Sequence, residues 1–348
     1  MGPNEPTDEE LADSVRFTRV ALAVALVGLV STAAIAILAD PLHTFGTGRI
    51  VSMLTSERDE KPATFLERRP PPEAIVLGSS RVMKLSPACL RELTGLPAYN
   101  FGVTDAQVED LEAILGFVQS RAAVPLRELV IGIDVEAFDD RIEVDPRLLS
   151  STLLRDYVPE SHLSWDAATR ALFGWQAFRY GLTSLRYAIT GRRPHESSHY
   201  TPEGEIVYDD ERSDESAMRE RRAANIQRRT GKLVAEGFAR LSPSRLELFR
   251  DLVTSAKARG TNVHVFVPPL HRELVDIRNR GPVPARLADL DRFLRALDVE
   301  HVIEYLAIKR VEDVGGDPEG YYDGNHMTEA NATRVLLAMF HREHGCGI

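Results

Sequence analysis

The sequence is poor in cysteine: its 348 residues contain two, Cys89 and Cys346. A disulfide-stapled small scaffold and a cysteine-cluster metal site are thereby excluded. The spacing is compatible with one disulfide or with two free thiols. Nothing in it points to a pair, so two free thiols are the expectation. Basic charge is also short. Lys and Arg number 42 against 52 Asp and Glu, and 42 − 52 = −10. Phosphate neutralisation requires the opposite balance, which excludes a nucleic-acid binder. No segment repeats at a fixed period, which excludes solenoids and propellers. What is present, 43% hydrophobic and 27% charged residues, is the balance of a globular chain with ample core and not of a disordered one.

One stretch lacks charge altogether. Residues 20–39 read VALAVALVGLVSTAAIAILA, roughly 30 Å of helix, about the thickness of a bilayer core. Arg16 and Arg19 stand just before it. By the positive-inside rule, residues 1–19 are a cytoplasmic tail, 20–39 a transmembrane helix, and everything beyond lies outside the membrane. The first fifteen residues carry five acids and no base, so those two arginines alone set the orientation. Two other readings stand beside this one. A signal peptide cleaved at Ala34-Ile35-Ala36 would have a shorter apolar core. A buried core helix would carry a polar stripe, and none is visible. Residues 40–72, with the mixed-charge run SERDEK and the stiff Arg68-Arg69-Pro70-Pro71-Pro72, read as a stalk.

A domain over 73–348 follows. Short continuous apolar runs at 74–77, 98–101, 129–133, 263–267 and 301–305 have the character of buried parallel strands. Helical patterns lie between them, at 104–120, 242–259 and 328–343, the second opening on Ser-Pro and the first on Thr-Asp. Strands alternating with helices predict an α/β fold with a parallel sheet covered on both faces. Residues 139–240 break that rhythm and predict a mostly helical insertion. It holds Trp165, Trp175, Tyr180 and Tyr200, which could stack sugars or fill a core. It also holds arginines at 219, 221, 222, 228 and 229. These could hold an anionic glycan, although the acids among them favour a solvated helix face.

Three features carry chemistry. Gly78-Ser79-Ser80-Arg81 directly follows the first strand, where an open α/β sheet binds ligands and where helix-start N–H groups can hold an oxyanion. Asp323-Gly324-Asn325-His326 precedes the last helix. There Asp323 can orient His326, leaving its other ring nitrogen to take a proton from a serine. Tyr99-Asn100-Phe101-Gly102 follows the second strand, and a glycine there lets backbone approach a ligand. Each alone reads equally well as a turn, a capping loop or a strand end. A metal site is not expected, since no further His or Cys stands at ligand spacing.

Together, the three features resemble the SGNH (GDSL-like) hydrolase superfamily. The chain is similar in particular to the membrane-anchored proteins of envelope-polymer modification, those of alginate O-acetylation and the DltD-like proteins of teichoic-acid D-alanylation. The resemblance covers 73–348 without the insertion. It implies a three-layer αβα, flavodoxin-like sheet and a triad of Ser80, His326 and Asp323, with Ser79 where the family has aspartate. The backbone of Ser80 and Gly102, together with Asn100, would hold the oxyanion. The family's third block usually supplies an asparagine donor, but here the third strand ends Gly132-Ile133-Asp134, and an ionised aspartate cannot donate. Arg81 and Asp134 then become candidates for substrate binding. The resemblance implies acyl transfer or ester hydrolysis, most readily of acetyl groups, on a cell-envelope or secreted polysaccharide. It implies no cofactor, and a membrane-bound acyltransferase as partner. The missing donor also leaves open an inactive module that binds glycan or docks such a partner.

Overall fold

The computed structural model describes residues 8–39, 57–159, 181–183, 185–186, 189–190, 198–209, 215–235 and 240–348. Trp165, Trp175, Tyr180 and the first part of the expected stalk, 40–56, lie outside them. Helix α1 runs Asp8–Ala39. Its segment Ala12–Ile35 is long and apolar enough to cross a membrane, and none of that span is buried. The helix starts well before residue 20 because the acidic and basic residues ahead of the apolar run are themselves good helix formers.

The second half of the expected stalk is folded. Residues Glu57–Glu67 form helix α2, with Arg58, Lys61 and Phe65 buried. Pro62 lies inside it and has no N–H to donate to the carbonyl of Arg58. Ser151 Oγ donates to that carbonyl instead, at 2.9 Å. Arg58 meets Asp110 at 2.6 and 3.0 Å with both side chains fully buried. Charge in 56–61 reads as solvated in the sequence, whereas here a partner reached across the fold is what lets the arginine be buried.

Five parallel strands form the sheet: β1 Ala74–Gly78, β2 Ala98–Asn100, β3 Glu128–Gly132, then, after the insertion, Asn262–Phe266 and Glu304–Leu306. The last two are β6 and β7, after the hairpin strands β4 Ser198–Tyr200 and β5 Ile206–Tyr208 of the insertion, and the order across the sheet is β2-β1-β3-β6-β7. Side chains alternate between two cores. Ile75 and Leu77 join one and Ala74 and Val76 the other. Each buried Leu, Ile or Val contributes about 1.5–3 kcal/mol by leaving water. Helix α3 Pro87–Thr94 connects β1 to β2, and helix α4 Val108–Arg121 connects β2 to β3. Helix α4 starts four residues later than the pattern 104–120 suggests. Thr104 Oγ1 is bonded to Glu57 Oε1 at 2.6 Å, and Asp110 caps the helix by accepting from Gln107 N at 2.9 Å.

The insertion is mostly helical where it is described, as the pattern predicts, with one hairpin that the pattern does not show. It contains the short helix α5 Pro146–Ser150, an antiparallel hairpin of β4 Ser198–Tyr200 and β5 Ile206–Tyr208, and helix α6 Glu215–Ala235. Three-residue strands leave too little alternation to read in sequence. Helix α7 Pro243–Ala258, capped by Ser242, leads back to the sheet. After β6 come α8 Arg272–Arg278 and α9 Val283–Val299, and after β7 the final helix α10 Glu329–Met339. The tail then returns to α3, where Cys346 forms a disulfide with Cys89 and its N–H donates to Glu92 at 2.8 Å. The expectation of free thiols is therefore corrected. A separation of 257 residues hides the pairing from any reading of spacing.

Candidate active site

The site assembles at the carboxyl ends of β1 and β3. At the end of β1, Gly78 has φ +147°, and a Cβ there would lie 2.3 Å from the Gly132 carbonyl oxygen. Only glycine lets the chain leave the strand so close to β3. The turn Ser80–Val82 follows as one turn of 3₁₀-helix, capped by Ser79, whose Oγ accepts from Arg81 N at 3.2 Å. Ser80 is the first residue of that turn, so its N–H has no partner within the turn.

Ser80 Oγ lies 2.8 Å from His326 Nε2. His326 Nδ1 lies 2.9 Å from Asp323 Oδ1, which also accepts the backbone N–H groups of Asn325 and His326 at 3.1 and 3.0 Å. Burial would raise the Asp323 carboxyl, but the hydrogen bond and charge of His326 and those two N–H groups outweigh it and hold the acid below its ordinary value. An ionised carboxylate only accepts, so it fixes the ring proton on Nδ1 and leaves Nε2 to accept from the serine. The structure thus brings together Ser80, His326 and Asp323.

Two expected oxyanion donors are corrected. Asn100 is fully buried, and its Nδ2 donates to the carbonyls of Val82 and Leu85 at 2.8 and 2.9 Å. Its Oδ1 accepts the Gly102 N–H at 2.8 Å. The side chain of one and the backbone N–H of the other are therefore committed to each other and to the turn after Ser80. Arg81 and Asp134 form an ion pair at 2.9 Å, with Glu136 3.7 Å from the same guanidinium nitrogen. Burial pushes the Asp134 carboxyl up against the pull of Arg81, and Ser79 donates to it. Arg81 Nε and Nη2 bond to no described residue.

The insertion supplies Tyr208 and Asn225, which the sequence did not single out, beside Arg221 and Arg222, which it did. Tyr208 of β5 stacks on Tyr322 with ring centroids 4.0 Å apart, and it lies 6.4 Å from the His326 ring. Lys84 stands 5.3 Å from the Tyr208 ring centre and Arg221 4.3 Å from that of Tyr322. Asn225 of α6 donates to the Asp323 carbonyl at 2.7 Å, and Arg222 pairs with Glu319. The arginines of α6 therefore divide. Arg219 and Arg228 are exposed, as a solvated face requires, whereas Arg221 and Arg222 hold the loop that carries Asp323 and His326. Adjacency of Tyr322 to Asp323 was a signal in the sequence; nothing there marked Tyr208.

Among the described residues, no three His, Cys, Asp or Glu side chains are grouped as metal ligands would be. Comparison of the sequence with protein-family models and with curated proteins finds no match to either.

Proposed function

We propose that the chain is an extracytoplasmic serine acyl-transfer enzyme of the SGNH type, an O-acetyltransferase or acetylesterase acting on a cell-envelope or secreted polysaccharide. The observation that carries this reading is the Ser80–His326–Asp323 chain of hydrogen bonds, at 2.8 and 2.9 Å. The strand order supports it: taken as first to fifth parallel strand, it reads 2-1-3-4-5, the order expected of a flavodoxin-like, three-layer αβα fold. Such folds bind ligands between the first and third strands at their carboxyl ends, where Ser80 stands.

In this reading His326 Nε2 takes the Ser80 proton as Oγ attacks the acyl carbonyl carbon. The carbonyl electron pair moves to oxygen, and the Ser80 N–H donates to that oxyanion. His326 returns the proton to the departing alkoxide, leaving an acyl-serine. A second hydroxyl, from water or a sugar, loses its proton to His326 and attacks, and the serine is restored. A second oxyanion donor falls to Arg81, whose guanidinium edge beyond the Asp134 contact supplies the N–H that Gly102 and Asn100 do not.

Helix α1 anchors the chain as a single pass with its N-terminus in the cytoplasm. The Cys89–Cys346 disulfide supports an outside location, since such bonds persist in oxidising compartments. A membrane-bound acyltransferase is the natural acyl donor. Turnover of p-nitrophenyl acetate, with and without a polysaccharide acceptor, tests the reading. Wild type should release nitrophenol, and Ser80→Ala and His326→Ala should not. The commitment of Gly102 and Asn100 favours one rival, an inactive module that binds glycan or docks a membrane acyltransferase. Binding of polysaccharide without turnover by the folded wild type would select it.

A further inference from the structure

One buried amine takes no part in the proposed chemistry. Lys61 of α2 is 1% exposed. Its Nζ donates to the Gly102 carbonyl at 2.7 Å and to the Gly204 carbonyl at 2.8 Å, and lies 4.5 Å from the Tyr200 ring centre. Burial pushes it down to about 7. Protonated or neutral, the nitrogen carries the two N–H groups that these carbonyls need.

Both carbonyls belong to segments that frame the site. Gly102 N–H donates to Asn100 Oδ1, and Asn100 Nδ2 in turn donates to Val82 and Leu85, which continue the turn begun by Ser80. A line of hydrogen bonds therefore runs from Lys61 through Gly102 and Asn100 to the nucleophile's backbone. Gly204 lies in the turn of the β4–β5 hairpin. That turn adds itself to the edge of β2, where Asn100 N donates to the Glu203 carbonyl at 2.9 Å. Gly204 has φ +82°, and a Cβ there would meet the Asn100 carbonyl oxygen at 2.2 Å. The hairpin also takes hold of the turn after Ser80 directly, through Ile206 N to the Met83 carbonyl at 3.1 Å, and carries Tyr208 to the His326 loop.

We infer that Lys61 is a positioning residue for the nucleophile: from α2 it fastens the loop after β2 to the β4–β5 hairpin, and so fixes the turn that presents Ser80 to His326. The inference rests on the acyl-transfer reading for its consequence in rate, but its structural content stands without it. Helix α2, which 17 residues separate from α1, is thus built into the body that carries Ser80 and is not a spacer.

The test uses the full chain and Lys61→Met, which keeps the apolar stem and removes both donors. A control, Leu294→Ala in α9, lowers stability from a buried site remote from the loop. Two readouts are taken: the rate of Ser80 modification by a fluorophosphonate, and amide hydrogen exchange. Lys61→Met should slow the maximal modification rate about 10- to 100-fold with little change in half-saturating probe, as a displacement of about 1 Å does. It should also speed exchange in 79–85, 100–106 and 198–208 while leaving β6 unchanged. Leu294→Ala should do neither at its own stability loss. Equal rates in Lys61→Met and Leu294→Ala, or unchanged exchange in those three segments, would overturn the inference. If Lys61→Met does not fold, Gly204→Ala loosens the same joint from the hairpin side, and wild-type rate and exchange in that variant would overturn it. If wild type itself is not modified, the acyl-transfer reading fails, and exchange alone decides the role of Lys61.

Discussion

Ser80 and His326 stand 246 positions apart in the chain and 2.8 Å apart in space. The parallel sheet closes that distance. Ser80 leaves the end of β1, and His326 arrives on the loop before α10, which packs in the same core as Val76 and Val82. The imidazole is held from behind by Asp323, and the loop bearing both is held by Asn225 and by the Tyr208–Tyr322 stack.

Asp323→Asn should leave the loop folded and lower kcat by about 10³- to 10⁴-fold, because the amide no longer enforces the Nδ1-protonated ring. Steady-state kinetics on p-nitrophenyl acetate check this. A loss below tenfold would mean that His326 does not work through Asp323.

The depressed Asp323 acid also sets a pH dependence. A carboxyl that ionises more easily in the folded chain than in the unfolded one stabilises the fold at any pH above its ordinary value of 3.8. That contribution fades as pH falls below 3.8 toward the lower native value. The stability gap between wild type and Asp323→Asn should therefore be constant near neutrality and shrink in acid. Denaturant unfolding at a series of pH values measures it.

Arg81→Met removes the donor assigned to the oxyanion and leaves Asp134 without its Arg81 ion pair. We expect kcat/KM to fall about 10²- to 10³-fold, the usual effect of losing one oxyanion donor. Circular dichroism should show the fold retained. Unchanged kinetics would return the oxyanion to Ser80 alone.

Arg58→Met strands the fully buried Asp110 and should cost about 3–5 kcal/mol of stability. Urea unfolding checks it. A change under 1 kcal/mol would show that residues 57–67 are a spacer after all.

Reduction of Cys89–Cys346, or the double replacement by serine, should lower stability by about 2–5 kcal/mol while sparing the triad. Thiol titration of the unfolded, unreduced chain should find no free cysteine, and two free thiols would contradict the pairing.

Much of the sheet was legible because buried parallel strands write themselves as unbroken apolar runs, as in 74–77 and 129–133. Ser80, Asp323 and His326 were legible because each sits at a strand end or helix start, where the chain's punctuation shows. Other features left no local mark. Arg58 and Lys61 look solvated until their partners, 52 and 41 residues away, are known. Gly102 and Asn100 sit where a donor would be useful, but hydrogen bonds across β2 commit them elsewhere. The hairpin is too short for periodicity, and the disulfide joins residues 257 positions apart.

The most direct measurement is covalent modification of the full chain by a fluorophosphonate, with the adduct mapped by peptide mass spectrometry. The account predicts a single adduct on Ser80 that is lost in His326→Ala. A folded wild-type chain that stays unmodified, or an adduct on another residue, would contradict it.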